Sequence, residues 1–452
     1  MNMGRFTPIW GAWGWLFLLV FCTQMLNFLE TTNVGPIKRL SVSFAKRLNV
    51  LTGDNGLGKT FFLDTVWYAM TRKWPAEVNQ NLFSGLVGRP QDPTSESFIR
   101  FNLTTEHDNL VDYKATFDRA EQGWVGRVGR PYNAGLVIYA LADGSFCVWD
   151  PARNYWKNGA TADIQERKPA FVFSSREIWE GQKDGDKSVC NGLLADMLKW
   201  QDQKGSEFRI LENLLLNLSP PDFSLKISTP TRLSVDDVRD IPTIVMPYGD
   251  VPVLHASAGI RRILALAYCL TWAYSEHRKA SQLRGVPTAS QVTFLMDEVE
   301  AHLHPRWQKK VLNSILAAIG EMYGEGADVQ VIASTHSALV MTSLEDTFDK
   351  SLDKWFDFDS VDGGAISFEE RPFEKMGSSD SWLTSEAFDL TSPRSPESEA
   401  LLKKINNALR EDSGADREYV CKLYNTLLQK LSPLDEDLFV IRRICKKRGY
   451  IE

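Results

Sequence analysis

Hydrophobic and polar positions change rhythm several times along the chain. In "PIKRLSVSFAKRLNVLT" apolar residues alternate with polar ones, which predicts two short strands ending at a glycine-rich turn. From Lys59 the run "KTFFLDTVWYAM" is apolar almost throughout and predicts a buried helix. Between Phe98 and Trp149, "VDYKATFD", "AGLVIYAL" and "SFCVWD" cluster β-formers around Gly and Asp turns and predict a strand meander. The segment "VCNGLLADMLKWQDQKGSEFRILENLLLNLSP" carries apolar residues at three-to-four spacing and predicts helices, and "IPTIVMPYGDVPVLH" reads as strand, turn, strand. After the long apolar helix of "VLHASAGIRRILALAYCLTWAY" come "SQVTFLMDEVEAHLHP", the helix "RWQKKVLNSILAAIGEMYG" and the strand of "DVQVIASTHSALVM". That β-turn-α rhythm belongs to a parallel sheet covered by helices. A hairpin is expected over 354–370 around Asp362-Gly363-Gly364, followed by a Ser/Pro-rich linker and a helical tail. There is no internal repeat and no coiled-coil heptad.

Composition changes this picture little. The 452 residues are 43% hydrophobic and 24% charged, as in an ordinary folded protein, and the net charge of -7 argues against broad adhesion to DNA. The six cysteines form no CxxC pair and read as reduced residues of a cytoplasmic protein. The N-terminus is the exception. Phe6 to Leu29 holds no charge, and its length suits a membrane span, with Lys38, Arg39, Lys46 and Arg47 holding the adjoining domain in the cytoplasm. A buried apolar arm and an upstream extension of little consequence are the competing readings. No small-residue cleavage pattern marks a secretion signal.

The chemistry concentrates in four places. "GDNGLGKT", Gly53 to Thr60, fits G-x-x-x-x-G-K-[ST] and sits after a strand and before a helix. Gly53, Asp54, Asn55, Gly56 and Gly58 would turn backbone N–H groups around a β-phosphate, with Phe61 in the first helical turn. Lys59 would reach the β- and γ-phosphates, and Thr60 would ligate Mg²⁺. The strand of "VTFLMDE" ends in Asp297, a metal-side carboxylate, and Glu298, a candidate general base. The plain alternative is a solvated acidic turn. His336, at the Thr-His-Ser end of "VQVIASTHS", could sense a γ-phosphate or simply cap a strand end. His302 and His304 invite a metal reading, but no third ligand stands at zinc spacing.

Taken in order, "GDNGLGKT", "HASAGIRR", "FLMDEVE", "EAHLHPRWQ" and "ASTHS" resemble the Walker A, signature, Walker B, D-loop and switch elements of ABC-type ATPase heads. The resemblance is to the SMC, RecF and OLD-like group, and most of all to compact ATPases of bacterial anti-phage systems. It covers roughly residues 35 to 345. It implies an α/β P-loop head with a mixed or parallel sheet, an antiparallel β subdomain and a helical insert. It also implies ATP and Mg²⁺ as ligands and a head-to-tail homodimer with ATP sandwiched between protomers. Ser257 and Gly259 would then face the partner's γ-phosphate, with Arg261 or Arg262 nearby, while Lys59, Glu298 and His336 act in cis. The signature departs from Leu-Ser-Gly-Gly-Gln, Val299 stands where proline is common, and the Q-loop glutamine is unplaced, with only Gln80 and Gln91 on offer in loops.

The expected organisation is an apolar extension over 1–30 and the ATPase head over 31–345, with a β-rich part at 98–170 and a helical insert at 171–235. Beyond the head come a hairpin extension at 346–376, a linker at 377–396 and a helical tail at 397–452. The expected function is an ATP-hydrolysing switch or sensor subunit of an anti-phage system that regulates a separate effector. The alternative is a RecF-like DNA repair or maintenance ATPase, for which Arg261/Arg262, Lys309/Lys310 and "RRICKKRG" are the candidate DNA contacts. A transport ATPase and a non-hydrolysing scaffold fit less well. No Toprim-like acidic pattern marks the tail as a nuclease.

Overall fold

The computed structural model describes residues 26–104, 110–126, 135–154, 170–324, 327–361, 365–410 and 416–451. The hairpin β1 (Leu26–Val34) and β2 (Ile37–Ser43) leads to β3 (Leu48–Gly53) and helix α1 (Lys59–Thr71). A short α2 (Pro75–Val78) precedes β4 (Phe98–Thr104), β5 (Leu110–Asp118) and β6 (Gly123–Val125). Next come β7 (Leu136–Ala140), β8 (Phe146–Trp149), β9 (Phe171–Phe173), α3 (Ser175–Glu180) and the small hairpin β10 (Gln182–Asp184) and β11 (Lys187–Cys190). Helices α4 (Leu193–Gln203) and α5 (Ser206–Leu218) lead to β12 (Lys226–Thr231), β13 (Ile241–Met246) and β14 (Gly249–Pro252). The chain continues through the long α6 (Ala258–Arg284), β15 (Gln291–Met296), α7 (Pro305–Gln308), α8 (Val311–Tyr323) and β16 (Asp328–Ser334). The remainder is α9 (Ala338–Leu344), β17 (Asp353–Val361), β18 (Ala365–Arg371), α10 (Ser379–Leu383), α11 (Pro396–Ala408), α12 (Arg417–Lys430) and α13 (Glu436–Lys447).

Two compact units result. The first holds residues up to His336 together with Asp346–Phe373, and the second holds Ser337–Glu345 with Glu374–Glu452. In the first unit, an eight-stranded sheet runs in the order β18-β17-β3-β16-β15-β7-β8-β9. Its inner strands β17, β3, β16, β15 and β7 are mutually parallel, so their C-terminal ends share one edge. Strand β15, "QVTFLM", is buried at every position, as a strand covered on both faces must be. A second sheet, β2-β1-β4-β5-β6, is wholly antiparallel.

Helix α1 explains why both sheets form one body. Phe62, Leu63, Val66, Trp67 and Met70 are all buried, and they join Leu29, Ile99 and Phe101 of the smaller sheet to Leu51, Leu295 and Ile332 of the larger. A helix buried on nearly every side has almost no solvent face to offer, so the chain places it between two sheets. Burial of each large side chain here is worth about 1.5–3 kcal/mol.

Three boundaries differ from expectation. Leu26 to Leu29, the end of the apolar N-terminal run, belong to β1 and pair with β2 and β4, and residues 6–25 lie outside the described residues. Among the described residues no helix is long and apolar enough to cross a membrane. The β-rich stretch is split, because β4 to β6 join the N-terminal hairpin whereas β7 to β9 enter the central sheet. The 354–370 hairpin is no extension. Strand β17 pairs in parallel with β3, and Phe358 and Phe368 pack on Phe62, so its aromatic residues complete the core. Its turn residues 362–364 lie outside the described residues.

In the second unit, α11, α12 and α13 bury Leu402, Ile405, Val420, Leu427 and Ile441 in a core of their own.

Candidate nucleotide-binding site

The P-loop leaves β3 and re-enters helix at Lys59. Gly58 caps α1 at φ 99°, and a Cβ there would stand 2.6 Å from the Pro36 ring, so backbone conformation and space both select glycine. Asp54, Asn55 and Gly56 are exposed at the loop tip. Lys59 is buried, and its ammonium donates to the carbonyls of Gly53 and Asp54, each at 2.7 Å. Burial brings its pKa down to about 8 against the pull of Asp297 and Asp54. The Phe61 ring stacks on Trp74 and closes over Gly35. Its side chain is thus a packing element beneath the hairpin, and any nucleotide contact by Phe61 falls to its backbone.

Asp297, 1% exposed, is the hub of the site. Thr60 Oγ1 donates to its Oδ2 at 2.7 Å, and Ser334 Oγ donates to its Oδ1 at 2.6 Å. A hydroxyl and a carboxylate oxygen in contact form the hard donor pair that Mg²⁺ takes beside phosphate, so these residues fit the ion. The next residue, Glu298, has φ 47°, a left-handed conformation costing a non-glycine roughly 1–2 kcal/mol. Its N–H donates to Ser334 Oγ at 2.8 Å, which holds the turn in that conformation.

His336 follows β16 directly. Thr335 N–H donates to Leu51 O at 2.9 Å, fixing the switch strand to the P-loop strand. The imidazole hydrogen-bonds the Gly53 backbone, and burial together with the nearby Lys59 charge lowers its pKa. Lys59 and His336 therefore converge on one P-loop carbonyl. His302 adopts φ 63° in the turn after Glu298, and His304 caps α7 by accepting from Arg306 N. Among the described residues no group of three or more His, Cys, Asp or Glu side chains could hold a metal.

The start of α6 lies beside these exits. Ser257 caps its own helix, accepting from Ile260 N at 3.4 Å, and Ser257, Ala258 and Arg261 are exposed. Gly259 faces inward, and a Cβ there would meet His302 O at 2.5 Å. Arg262 shares that inward face, one turn on. Its guanidinium donates to Ala142 O at 3.1 Å and to Asp297 O at 3.4 Å, and burial lowers its pKa. Expected among the contacts to a partner's phosphate, Arg262 is instead engaged with the strand exits of its own chain. Arg261 is the outward arginine.

Sequence reasoning missed four participants. Ser334 and Glu300 sit inside the motifs already read but carry no motif letter. Asp64, on α1, accepts from Tyr139 OH at 3.0 Å, and burial raises its pKa to about 8. Asp143 lies in the loop leaving β7, where its carboxylate accepts from Ser84 Oγ at 2.6 Å and from Ser145 N–H at 2.8 Å, and the end of that strand meets Asp297, whose N–H donates to Ala140 O at 2.9 Å. That loop contains no glutamine. Gln80 lies in the turn after α2, and Gln91 donates to Pro36 O, so neither follows a strand of the central sheet.

Residues 247–342, which include α6, β15 and β16, match the family described as "AAA domain, putative AbiEii toxin, Type IV TA system". Septu protein PtuA of Bacillus thuringiensis is 22% identical over 334 residues, covering 69% of this chain and 72% of that protein. Similar solved structures include the SMC head domain from Thermotoga maritima, at 13% identity and TM-score 0.37, covering 77% of this chain and 100% of that one. An Smc head from Pyrococcus furiosus bound to the C-terminal domain of ScpA gives 13% and 0.41, covering 78% and 97%. The recombination mediator RecF gives 13% and 0.37, covering 77% and 99%. By its strand order, the order of its motifs and the match over residues 247–342, the chain has a mixed α/β fold with a P-loop between its central sheet and its first helix.

Proposed function

We propose that this chain is an ATP-binding and ATP-hydrolysing switch subunit of an anti-phage defence system, working as a nucleotide-sandwich dimer that controls a separate effector. The observation that carries the enzymatic part is the Thr60–Asp297–Ser334–Glu298 assembly at the ends of adjacent parallel strands. The P-loop amides and Lys59 would hold the β- and γ-phosphates, Thr60 and Asp297 would hold Mg²⁺, and the ion would offset phosphate charge. Glu298 would take a proton from the attacking water as ATP is cleaved to ADP and phosphate, with His336 moving from the Gly53 backbone to the γ-phosphate.

The dimer reading is supported by the exposed start of α6, whose 27 residues align their dipoles toward Ser257 and Ala258. The similarity to Septu protein PtuA supports the defence role. Glu298→Gln should keep ATP affinity, lower turnover by about 10²-fold or more, and accumulate dimer by light scattering with ATP. Persisting turnover would remove Glu298 as the base, and a monomer at saturating ATP would remove the sandwich. For the biological role, a phage challenge with the neighbouring genes should lose protection on Lys59→Ala. A salt-sensitive, ATP-dependent duplex complex would instead favour a DNA clamp. Arg262 and Lys310, which donates to Ser219 O, are occupied within the chain and weaken two of the candidate DNA clusters.

A further inference from the structure

Glu300 stands in the turn between β15 and α7 with a half-buried carboxylate. One oxygen accepts from Thr335 Oγ1 at 2.6 Å and the other from the His336 backbone N–H at 2.5 Å. Both partners belong to the exit of the neighbouring strand β16. The turn that carries Glu300 does not need this carboxylate for its own closure, because Ala301 N–H donates to Glu298 O and Leu303 N–H donates to Glu300 O. A half-buried acid has lost part of its hydration and is costly unless its hydrogen bonds are made, and here they are made to the switch segment.

The same two exits are joined closer to the sheet. Ser334 Oγ links Asp297 to the Glu298 N–H, and Val299 N–H donates to Ser334 O at 3.1 Å. Glu300 extends this seam to its far end, where the imidazole is carried. We infer that Glu300 is a positioning residue, a strut that holds the His336 backbone at a fixed offset from the Glu298 turn and thereby sets the rate of ATP cleavage without contributing to ATP affinity. This rests on the ATPase reading above. The strut touches no phosphate and moves no proton. It fixes where His336 can stand once its imidazole leaves the Gly53 backbone.

The test uses the full chain and three variants, with ATP affinity measured by a fluorescent analogue and kcat and KM measured separately. Glu300→Ala should lower kcat by about tenfold to a hundredfold, the scale set by misplacement of a positioned group, and leave ATP affinity within about twofold. Glu300→Gln should recover most of the loss, since its amide oxygen can accept from His336 N–H while its NH₂ donates to Thr335 Oγ1. Glu300→Asp keeps the charge but is one methylene short, so it should rank below Gln and report even where the Ala variant folds poorly. Adding His336→Ala to Glu300→Ala should cost little more than either change alone, because the two act as one unit. An unchanged kcat in Glu300→Ala, Asp ranking above Gln, or additive losses would each overturn the strut. Absence of ATP turnover in the unaltered chain would overturn the ATPase reading itself, so the two failures are distinguishable.

Discussion

Lys59 shows how much one residue of this site depends on its neighbours. Held among carbonyls and largely dry, its ammonium has a pKa of about 8, so a fraction is neutral in mildly alkaline solution. Phosphate brought beside it would favour the charged form. ATP binding at pH 8.5 should therefore take up a fraction of a proton, visible as a calorimetric enthalpy that varies with the ionisation enthalpy of the buffer. Equal enthalpies in all buffers would contradict the assignment. The P-loop, Asp297, Glu298 and His336 could be picked out in the sequence because each follows an apolar strand run, and the structure brings those strand ends side by side. Ser334 and Glu300 were not, because serine and glutamate beside a motif are ordinary until a neighbouring strand shows what they hold. Arg261 and Arg262 could not be told apart by spacing alone. A step of one residue turns about 100° around a helix, and the hydrogen bonds of Arg262 to Ala142 O and Asp297 O show which arginine faces in.

At the scale of elements, α1 couples the site to the core through Asp64. Its folded pKa of about 8 stands well above the ordinary carboxyl range, so the folded chain holds a proton there that the unfolded chain has released. The stability tied to that proton is fully present below the unfolded pKa and is lost as pH rises through about 8, with a slope of at most about 1.4 kcal/mol per pH unit. Asp64→Asn keeps the acceptor for Tyr139 OH and removes the titration. Its thermal midpoint should exceed that of the parent by a margin that widens from pH 5 to pH 8, as followed by calorimetry. A constant margin would mean that Asp64 is charged throughout. The elements around it were mostly readable from period and length, β15 and α6 above all. The placement of β17 was not, because a hairpin pattern names its own two strands and says nothing of the third strand that one of them will join.

For the whole molecule, the informative substitution is Arg261→Glu. Gly259 is a poor probe of dimerisation, since any side chain there collides with the backbone at His302 within its own chain. Arg261 is exposed and free of that confusion. Its reversal in a Glu298→Gln background should leave ATP affinity of the monomer within about twofold and abolish the ATP-dependent dimer, since a like charge facing phosphate is repelled. Retention of dimer by light scattering would remove Arg261 from the interface.

The division of the chain has a practical outcome. Residues 337–345 lie between β16 and β17 in sequence yet count with the C-terminal helices. Within that second unit, Glu345 accepts from the N–H groups of Met376 and Gly377 at 2.9 Å and from Trp382 Nε1 at 2.6 Å. A protease nick just after Phe373 would therefore leave the two fragments gripping each other through α9. Ending the chain there would strip Glu345 of those donors and leave the hydrophobic residues of α9 uncovered. Anyone preparing the head alone must rebuild the crossing from His336 to Asp346 as well as remove the tail.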